Sequence, residues 1–228
     1  MQCFGKIIVS NKNVINGFKN TFGAGEPRVF TAPGRTEIGG NHTDHQHGCV
    51  LAAAVDIDIL AAARENGTNR IRILSEGYEM ETIDLNMLSP IETERNTSAA
   101  LIRGVAAKLT EMGYNIKGFD AFMISNVLKG SGLSSSAAFE IIAGTIMNGL
   151  FCGGKIHPVK IAQIGQYAEN VFFGKPSGLM DQTASSVGGV VAIDFADTSN
   201  PIVKKLDFDF SKTGYALCII DSGADHAD

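Results

Sequence analysis

The chain has 228 residues, a formal net charge of −5 and no run of basic residues, so neither nucleic acid nor membrane surfaces are expected as partners. A hydrophobic fraction of 44% allows a sizeable core in one large or two small domains. Four scattered cysteines, no signal-peptide pattern and no apolar run near about 20 residues predict a cytoplasmic protein.

The first third of the chain is dominated by strand patterns. Residues 11–22 place apolar side chains on one face of a helix, and RVFTA at 28–32 predicts a strand that ends at the turn signal Pro33-Gly34. Residues 50–64 are rich in alanine, which favours helix, but two aspartates alternate with apolar residues. We favour two strands or one long bent strand there. Residues 70–76 and 78–85 predict an antiparallel pair.

Helix patterns dominate the middle of the chain. Amphipathic helices are predicted over residues 97–113 and 158–173, and a third follows the glycines that begin at residue 130. A buried strand is predicted over 120–128, and strand-like segments cover 188–195 and 216–222. Strands first and helices later, without regular alternation, predict an α+β fold.

The segment NVLKGSGLSSSAAFE (126–140) combines a strand end, a glycine loop and a helix start. Glycines allow a sharp turn, and the free N–H groups of a helix N-terminus bind anions. The spacing fits neither the Walker loop, nor the dinucleotide fingerprint, nor the hydrolase elbow. A glycine turn with a serine cap therefore stays open as the plain alternative.

Two further segments carry candidate functional side chains. ENVFFGKPSGLMDQ (169–182) holds Glu169, an oxygen ligand suited to Mg²⁺, and Asp181, a candidate base for a hydroxyl. Taken alone, a carboxylate in either position is more often a solvated charge or a helix cap than a functional group. GGNHTDHQHG (39–48) holds three of the five histidines at a spacing compatible with a metal site.

Three segments in order resemble the galactokinases of the GHMP kinase superfamily. APGRTEIGGNHTDHQHG (32–48) resembles their sugar-recognition signature, VLKGSGLSSSAAFE (127–140) the superfamily's phosphate loop, and AENVFFGKPSGLMDQ (168–182) the stretch with the catalytic aspartate. The likeness spans roughly residues 28–195. It implies an α+β domain like ribosomal S5 domain 2, a mixed sheet with helices packed on it. That domain would cover 1–195, and 196–228 would begin a second one.

The resemblance also assigns roles by position. Arg35 and Asp181 match the catalytic residues, with Asp181 beside the sugar's anomeric hydroxyl. The nucleotide phosphate loop is matched by Lys129, Gly130, Ser131, Gly132, Leu133, Ser134, Ser135 and Ser136. The sugar contacts are matched by Asn41, His42, Asp44, Gly178 and Asp181, and the Mg²⁺ ligands by Glu169 with Ser135 or Ser136.

These residues suit phosphoryl transfer, in which positioning and charge neutralisation dominate catalysis. The resemblance implies an ATP- and Mg²⁺-dependent kinase that converts galactose to galactose 1-phosphate, with the full-length protein expected to be a monomer. Asp181 would take or orient the C1 hydroxyl proton, and Arg35 would stabilise the transferred charge.

The chain departs from the family pattern at several positions. Asn41 replaces a glutamate, Glu37 an asparagine, His45 a tyrosine and His47 a glycine, which leaves a galactose-related sugar open. Galactokinases also continue considerably further, with a third glycine-rich motif. We therefore expect an N-terminal portion that binds ATP and sugar weakly on its own and turns over little.

Three alternatives remain. A non-catalytic galactose sensor derived from a kinase would have a defective serine loop, whereas GLSSSAA is complete here. A metal-binding module would use His42, His45 and His47. A GHMP kinase for another alcohol, such as mevalonate, would lack the RTEIGGNHTD signature.

Overall fold

The computed structural model describes residues 10–127, 130–215 and 218. The strand predicted over 216–222 lies outside these ranges except for Cys218. The helices are α1 (Asn11–Phe22), α2 (Ser98–Glu111), α3 (Ser135–Phe151), α4 (Pro158–Tyr167) and α5 (Met180–Val187). The strands are β1 (Arg28–Gly39), β2 (Cys49–Glu65), β3 (Arg70–Ser75), β4 (Met80–Asp84), β5 (Phe119–Ser125), β6 (Val190–Asp194) and β7 (Ile202–Leu206).

The strands form one mixed sheet in the order β4-β3-β5-β2-β6-β7, with β1 also paired to β2. The β3–β5 pair is parallel and the other pairs are antiparallel. This confirms the α+β prediction and the antiparallel pair β3–β4. The domain boundary after residue 195 stays a prediction, although β7, beyond it, pairs with β6 in the same sheet.

Strand β2 is a single long strand that organises the sheet. One edge pairs with β1 along most of its length, while the other pairs with β6 over residues 49–53 and with β5 over residues 59–65. Asn126 N donates to Asp58 O (2.9 Å) where β5 ends. At Asn126 the chain therefore leaves the sheet in the gap between β5 and β6.

The turn predicted at Pro33-Gly34 is wrong, because β1 continues through it to Gly39 with a register shift between Pro33 and Arg35. Proline lacks the N–H that a regular ladder needs, so it favours such an irregularity. A Cβ on Gly34 would lie 3.0 Å from Leu133 O. The bulge and the glycine thus let β1 approach the glycine loop closely.

The sheet buries both faces. Helices α2 to α5 cover one face, where Ala61 and Ala63 of β2 join the main hydrophobic core. Helix α1 covers the other face, where Leu60 and Ala62 pack against Val14 and Phe18. Alternate side chains of a strand point to opposite faces. The alternation over residues 55–59 therefore reflects a stretch whose apolar side chains face the main core while Asp56 is exposed, whereas the continuous apolar run 59–63 is buried on both sides.

The helix predicted over residues 158–173 is regular only as far as Tyr167. It continues as a π-helix over Ala168–Phe173 and ends at Gly174, whose φ is +90°. Single π-helical turns within helices are frequent at functional sites. In the described part of the chain, no helix has both the length and the apolarity needed to cross a bilayer.

Candidate active site

Arg35 and Asp181 form a two-pronged ion pair at the centre of the candidate site. Arg35 Nε donates to Asp181 Oδ1 and Nη2 to Oδ2, each at 2.6 Å. The third nitrogen, Nη1, donates to Gly132 O at 2.7 Å, and the backbone N of Arg35 donates to Leu133 O at 3.0 Å. One buried arginine therefore joins strand β1, the glycine loop and helix α5.

Ser134 adds a third donor to the same carboxylate. It precedes helix α3 in a left-handed conformation with φ of +58°, and its hydroxyl donates to Asp181 Oδ2 instead of capping the helix. Gly130 and Gly132 also have positive φ values, of 78° and 73°. The first N–H groups of α3 thus lack a side-chain cap, which leaves the helix end open to an anion.

Asp44 and Gly178 meet at the start of helix α5. Asp44 is 5% exposed, and its Oδ2 accepts from Met180 N at 3.1 Å, which is favourable at a helix N-terminus. A Cβ on Gly178 would lie 1.7 Å from Asp44 Oδ2. His45 Nδ1 lies 3.0 Å from Asp44 Oδ1, but this contact lacks hydrogen-bond geometry, so that oxygen still needs a donor.

Asn41 and His42 are exposed at the rim of the site, on a segment that reverses direction. Both have positive φ values, of 56° and 51°. Glu37 holds this segment, because its carboxylate accepts from the backbone N of His42 at 3.0 Å and lies 3.3 Å from His42 Nε2. The carboxylate at position 37 is therefore committed to the loop, and Asn41 is left to face solvent.

Glu169 lies on the π-helix and faces the start of α3. It is 4% exposed, and Ser136 Oγ lies 3.4 Å from its Oε1. Burial raises the pKa of Glu169, an effect opposed by the Ser177 hydroxyl and the Lys175 charge. A buried carboxylate beside a serine hydroxyl, both oxygen donors, fits the preference of Mg²⁺.

Behind Glu169 lies a second buried carboxyl group that the sequence did not single out. Glu140 of α3 is fully buried, and its Oε1 lacks a hydrogen-bond partner within residues 10–127 and 130–215. Burial, and then the charge of Glu169, raise the pKa of Glu140 well above its usual value, although a hydrogen bond from Gln182 opposes this. Glu140 is the one charged residue in the apolar segment 135–151, a signal that could have revealed it.

The pKa of Glu140 predicts a specific pH dependence of stability. The pKa of Glu140 is higher in the folded state than in the unfolded state. The contribution of Glu140 to the free energy of unfolding is therefore greatest below about pH 4.3, the unfolded pKa, and it is lost as the pH rises through the folded-state pKa. Glu140→Gln removes this loss. The difference in unfolding free energy between the variant and the wild type should therefore shift in favour of the variant as the pH rises from 4 to 8. Denaturant unfolding without divalent metal measures the difference, with exposed Glu79→Gln as control. Parallel stability curves would contradict the assignment.

The remaining predicted site residues fall in three groups. Lys129 lies outside the described residues. The glycine loop residue Leu133 has a buried side chain and acts through its carbonyl, whereas Gly130, Ser131 and Gly132 form the turn itself.

Among the residues that the structure describes, no three His, Cys, Asp or Glu side chains are grouped to hold a metal ion. The described geometry thus gives no support to the histidine triad of residues 42, 45 and 47.

Family models match two parts of the chain. Residues 16–65 match the galactokinase galactose-binding signature, and residues 100–189 match the N-terminal domain of GHMP kinases. The fold agrees, since mevalonate kinase from Methanococcus jannaschii superposes with a TM-score of 0.63 at 18% identity, over 82% of this chain and 58% of that one. The fold and the site define a GHMP kinase N-terminal domain.

Relatives with higher sequence identity indicate which family within the GHMP kinases this chain resembles. Galactokinase from Streptomyces coelicolor is 32% identical to this chain, in an alignment that covers 92% of this chain and 54% of the relative. Galactokinase from Lacticaseibacillus casei is also 32% identical, with 84% of this chain and 49% of the relative covered. The galactose complex of Lactococcus lactis galactokinase superposes with a TM-score of 0.76 at 26% identity, over 85% of this chain and 51% of that one. The chain belongs to the galactokinase family and spans about half the length of the curated relatives it matches.

Proposed function

We propose that this chain supplies the sugar site and the phosphate loop of an ATP-dependent galactose 1-kinase. The observation that carries the proposal is the Arg35–Asp181 pair, which ties the glycine loop at the start of α3 to the start of α5. A phosphate group at the N-terminus of α3 and a sugar beside Asp44 would therefore meet at Asp181. The galactose complex of the Lactococcus lactis relative supports the choice of sugar.

The hydrogen bonds of Asp181 limit how it would act. An ionised carboxylate offers about four acceptor positions, and Arg35 and Ser134 use one on Oδ1 and two on Oδ2. The position left on Oδ1 suits one hydroxyl group of the sugar. In the proposed step, the C1 oxygen bonds to the γ-phosphorus, the bond to the β–γ bridging oxygen breaks, ADP leaves with that electron pair, and Asp181 takes or orients the hydroxyl proton.

The other groups would bind and neutralise charge, which dominates this chemistry. The uncapped N–H groups of α3 would face the phosphates. Asp44 Oδ1, which is buried and accepts no hydrogen bond from the described part of the chain, would accept one from a sugar hydroxyl. Mg²⁺, bound by Glu169 and Ser136 or Ser135, would neutralise phosphate charge. Titrating the chain with galactose and, separately, with an ATP analogue tests the proposal, and binding of neither would contradict it.

Sugar preference is proposed to depend on Asn41. A charged acceptor contributes about 1 kcal/mol more to a hydrogen bond than a neutral one. We therefore expect Asn41→Glu to tighten galactose binding about fivefold and to change the ranking of galactose against its epimers. Calorimetric titration with a sugar panel measures this. Gln46→Glu likewise replaces an amide with a carboxylate on the same exposed segment and should leave the ranking intact. An unchanged ranking in Asn41→Glu would exclude position 41 as a selector.

A further inference from the structure

Gln182 lies between the two buried carboxyl groups and bonds to both. Its Nε2 donates to Glu169 Oε2 at 2.8 Å and to Glu140 Oε2 at 3.2 Å. Gln182 is 1% exposed, so water cannot readily replace these contacts. An amide NH₂ group has two donors. Both are therefore used on carboxyl oxygens.

This arrangement fixes which way the amide points. If the amide group of Gln182 were reversed, its carbonyl oxygen would face an oxygen of each carboxyl group, and each contact with an ionised carboxylate would become repulsive. The Oε1 atom of Gln182 has no hydrogen-bond partner among the described residues, so nothing else there selects the orientation. The two carboxyl groups together therefore determine the orientation of the Gln182 amide, and both hydrogen bonds are buried.

The fold makes space for Glu140 at this position. A Cβ on Gly165 of α4 would lie 3.1 Å from Glu140 Oε2 and 3.2 Å from Glu140 Cβ. Both distances are shorter than ordinary packing contacts. A glycine in the middle of a helix costs roughly 1 kcal/mol relative to alanine. The helix therefore gives up stability at the point where it admits a buried carboxyl group.

We propose that Glu140 and Gln182 are positioning residues that hold the Glu169 carboxylate toward Ser136. Gln182 binds the Oε2 atom of Glu169, while Oε1, the atom 3.4 Å from Ser136 Oγ, stays directed at the start of α3. Glu140 holds Gln182 from the other side. The inference rests on the proposed function, because it assigns Glu169 to the metal that accompanies ATP.

The test compares substitutions of similar size at the two positions. Gln182→Met removes both donors, Glu140→Met removes the acceptor, and Glu140→Gln keeps an acceptor for Gln182. Mn²⁺ serves as the probe, with its affinity measured by electron paramagnetic resonance on the 228-residue chain with ATP. Residues that orient a metal ligand typically change metal affinity 10- to 100-fold. We expect such a loss in both Met variants and recovery in Glu140→Gln.

A matched control separates positioning from general destabilisation. Asn148 lies at the far end of α3, about 18 Å along the helix from Ser136, and bonds to the backbone of Ile156. Asn148→Met should lower the unfolding temperature and leave Mn²⁺ affinity unchanged. Glu140→Met removes a buried ionisable group but leaves one Gln182 donor unpaired, so its unfolding temperature should fall no further than that of Asn148→Met. Loss of Mn²⁺ affinity in a variant that is no less stable than Asn148→Met is a result that a purely structural role would not give.

Crystal structures of the wild type and Gln182→Met complete the test. A Glu169 carboxylate that keeps its contact with Ser136 in Gln182→Met overturns the proposal, as does unchanged Mn²⁺ affinity in both Met variants. Glu169→Ala tests the proposed function separately. If this variant binds Mn²⁺ with ATP as tightly as the wild type, or if the wild type binds none, the metal role of Glu169 fails. The position of the Glu169 carboxylate in the two crystal structures then decides the positioning claim on its own.

Discussion

Asp181→Asn is expected to lower the turnover of galactose about 10²- to 10⁴-fold, the usual contribution of a positioned acid or base. The amide cannot accept a proton as a carboxylate does, and its NH₂ group faces the Arg35 guanidinium in place of an oxygen. Galactose affinity should change little, because the amide oxygen still accepts a hydrogen bond. ADP release by the full-length protein measures turnover, and calorimetric titration measures binding.

The chain provides a matched control for this substitution. Asp120 forms the same kind of two-pronged pair with Arg72, at 2.8 and 2.7 Å, away from the candidate site. Asp120→Asn should lower the stability of the protein without lowering turnover. Near-normal turnover in Asp181→Asn would overturn the catalytic assignment. Equal losses of turnover in the two variants would show that the effect comes from a lost ion pair and not from chemistry.

Gly178→Ala is expected to abolish detectable galactose binding, because the added methyl group would lie 1.7 Å from Asp44 Oδ2. Asp44 is buried and accepts from Met180 N, so its carboxylate cannot move without losing that bond. Overpacking of this kind also costs about 1–3 kcal/mol of unfolding free energy. Titration with galactose and denaturant unfolding measure the two effects on the same sample.

Two further variants keep this prediction falsifiable if Gly178→Ala unfolds. Gly39→Ala adds a methyl group where nothing lies within 4 Å, and it should retain both stability and binding. Adding Asp44→Ser to Gly178→Ala removes the clash, so the double variant should fold but still fail to bind galactose. Full galactose binding by the double variant would show that Asp44 does not contact the sugar.

The family resemblance predicts roles for Arg35 and Asp181 in one site, and the structure pairs the two side chains at the centre of the candidate site. Arg35 and Asp181 are 146 residues apart, and nothing in spacing or periodicity brings them together. The pair contacts the glycine loop only because three features of the fold lie together: the bulge in β1, the left-handed conformation of Ser134 and the start of α5. The turn predicted at Pro33-Gly34 was wrong because β1 continues through it with a register shift, and the close approach of Leu133 to Gly34 is a contact that the local sequence does not show.

The histidines show the opposite case, in which a local pattern misled. Their spacing fits metal ligands, but in the structure His42 contacts Glu37, His45 lies beside Asp44, and the His47 ring contacts Ala196 O. Three partners on different elements leave no common point for a metal ion. Sequence spacing gives no information on such divergence, because side-chain directions depend on backbone angles, and His42 and His47 both have positive φ.

The sequence by itself determined the α+β class, most helices and strands, and the residues at which the family's motifs fall. These features depend on local periodicity, on glycine and proline, and on motifs that are contiguous in the chain. Only the tertiary structure decided that β2 is one strand shared between β5 and β6, that Ser134 bonds to Asp181, and that Gln182 bridges Glu140 and Glu169. The partners in each contact lie far apart in the chain, and burial gives the contacts at Gln182 their strength, because a polar group removed from water must find its partner within the fold.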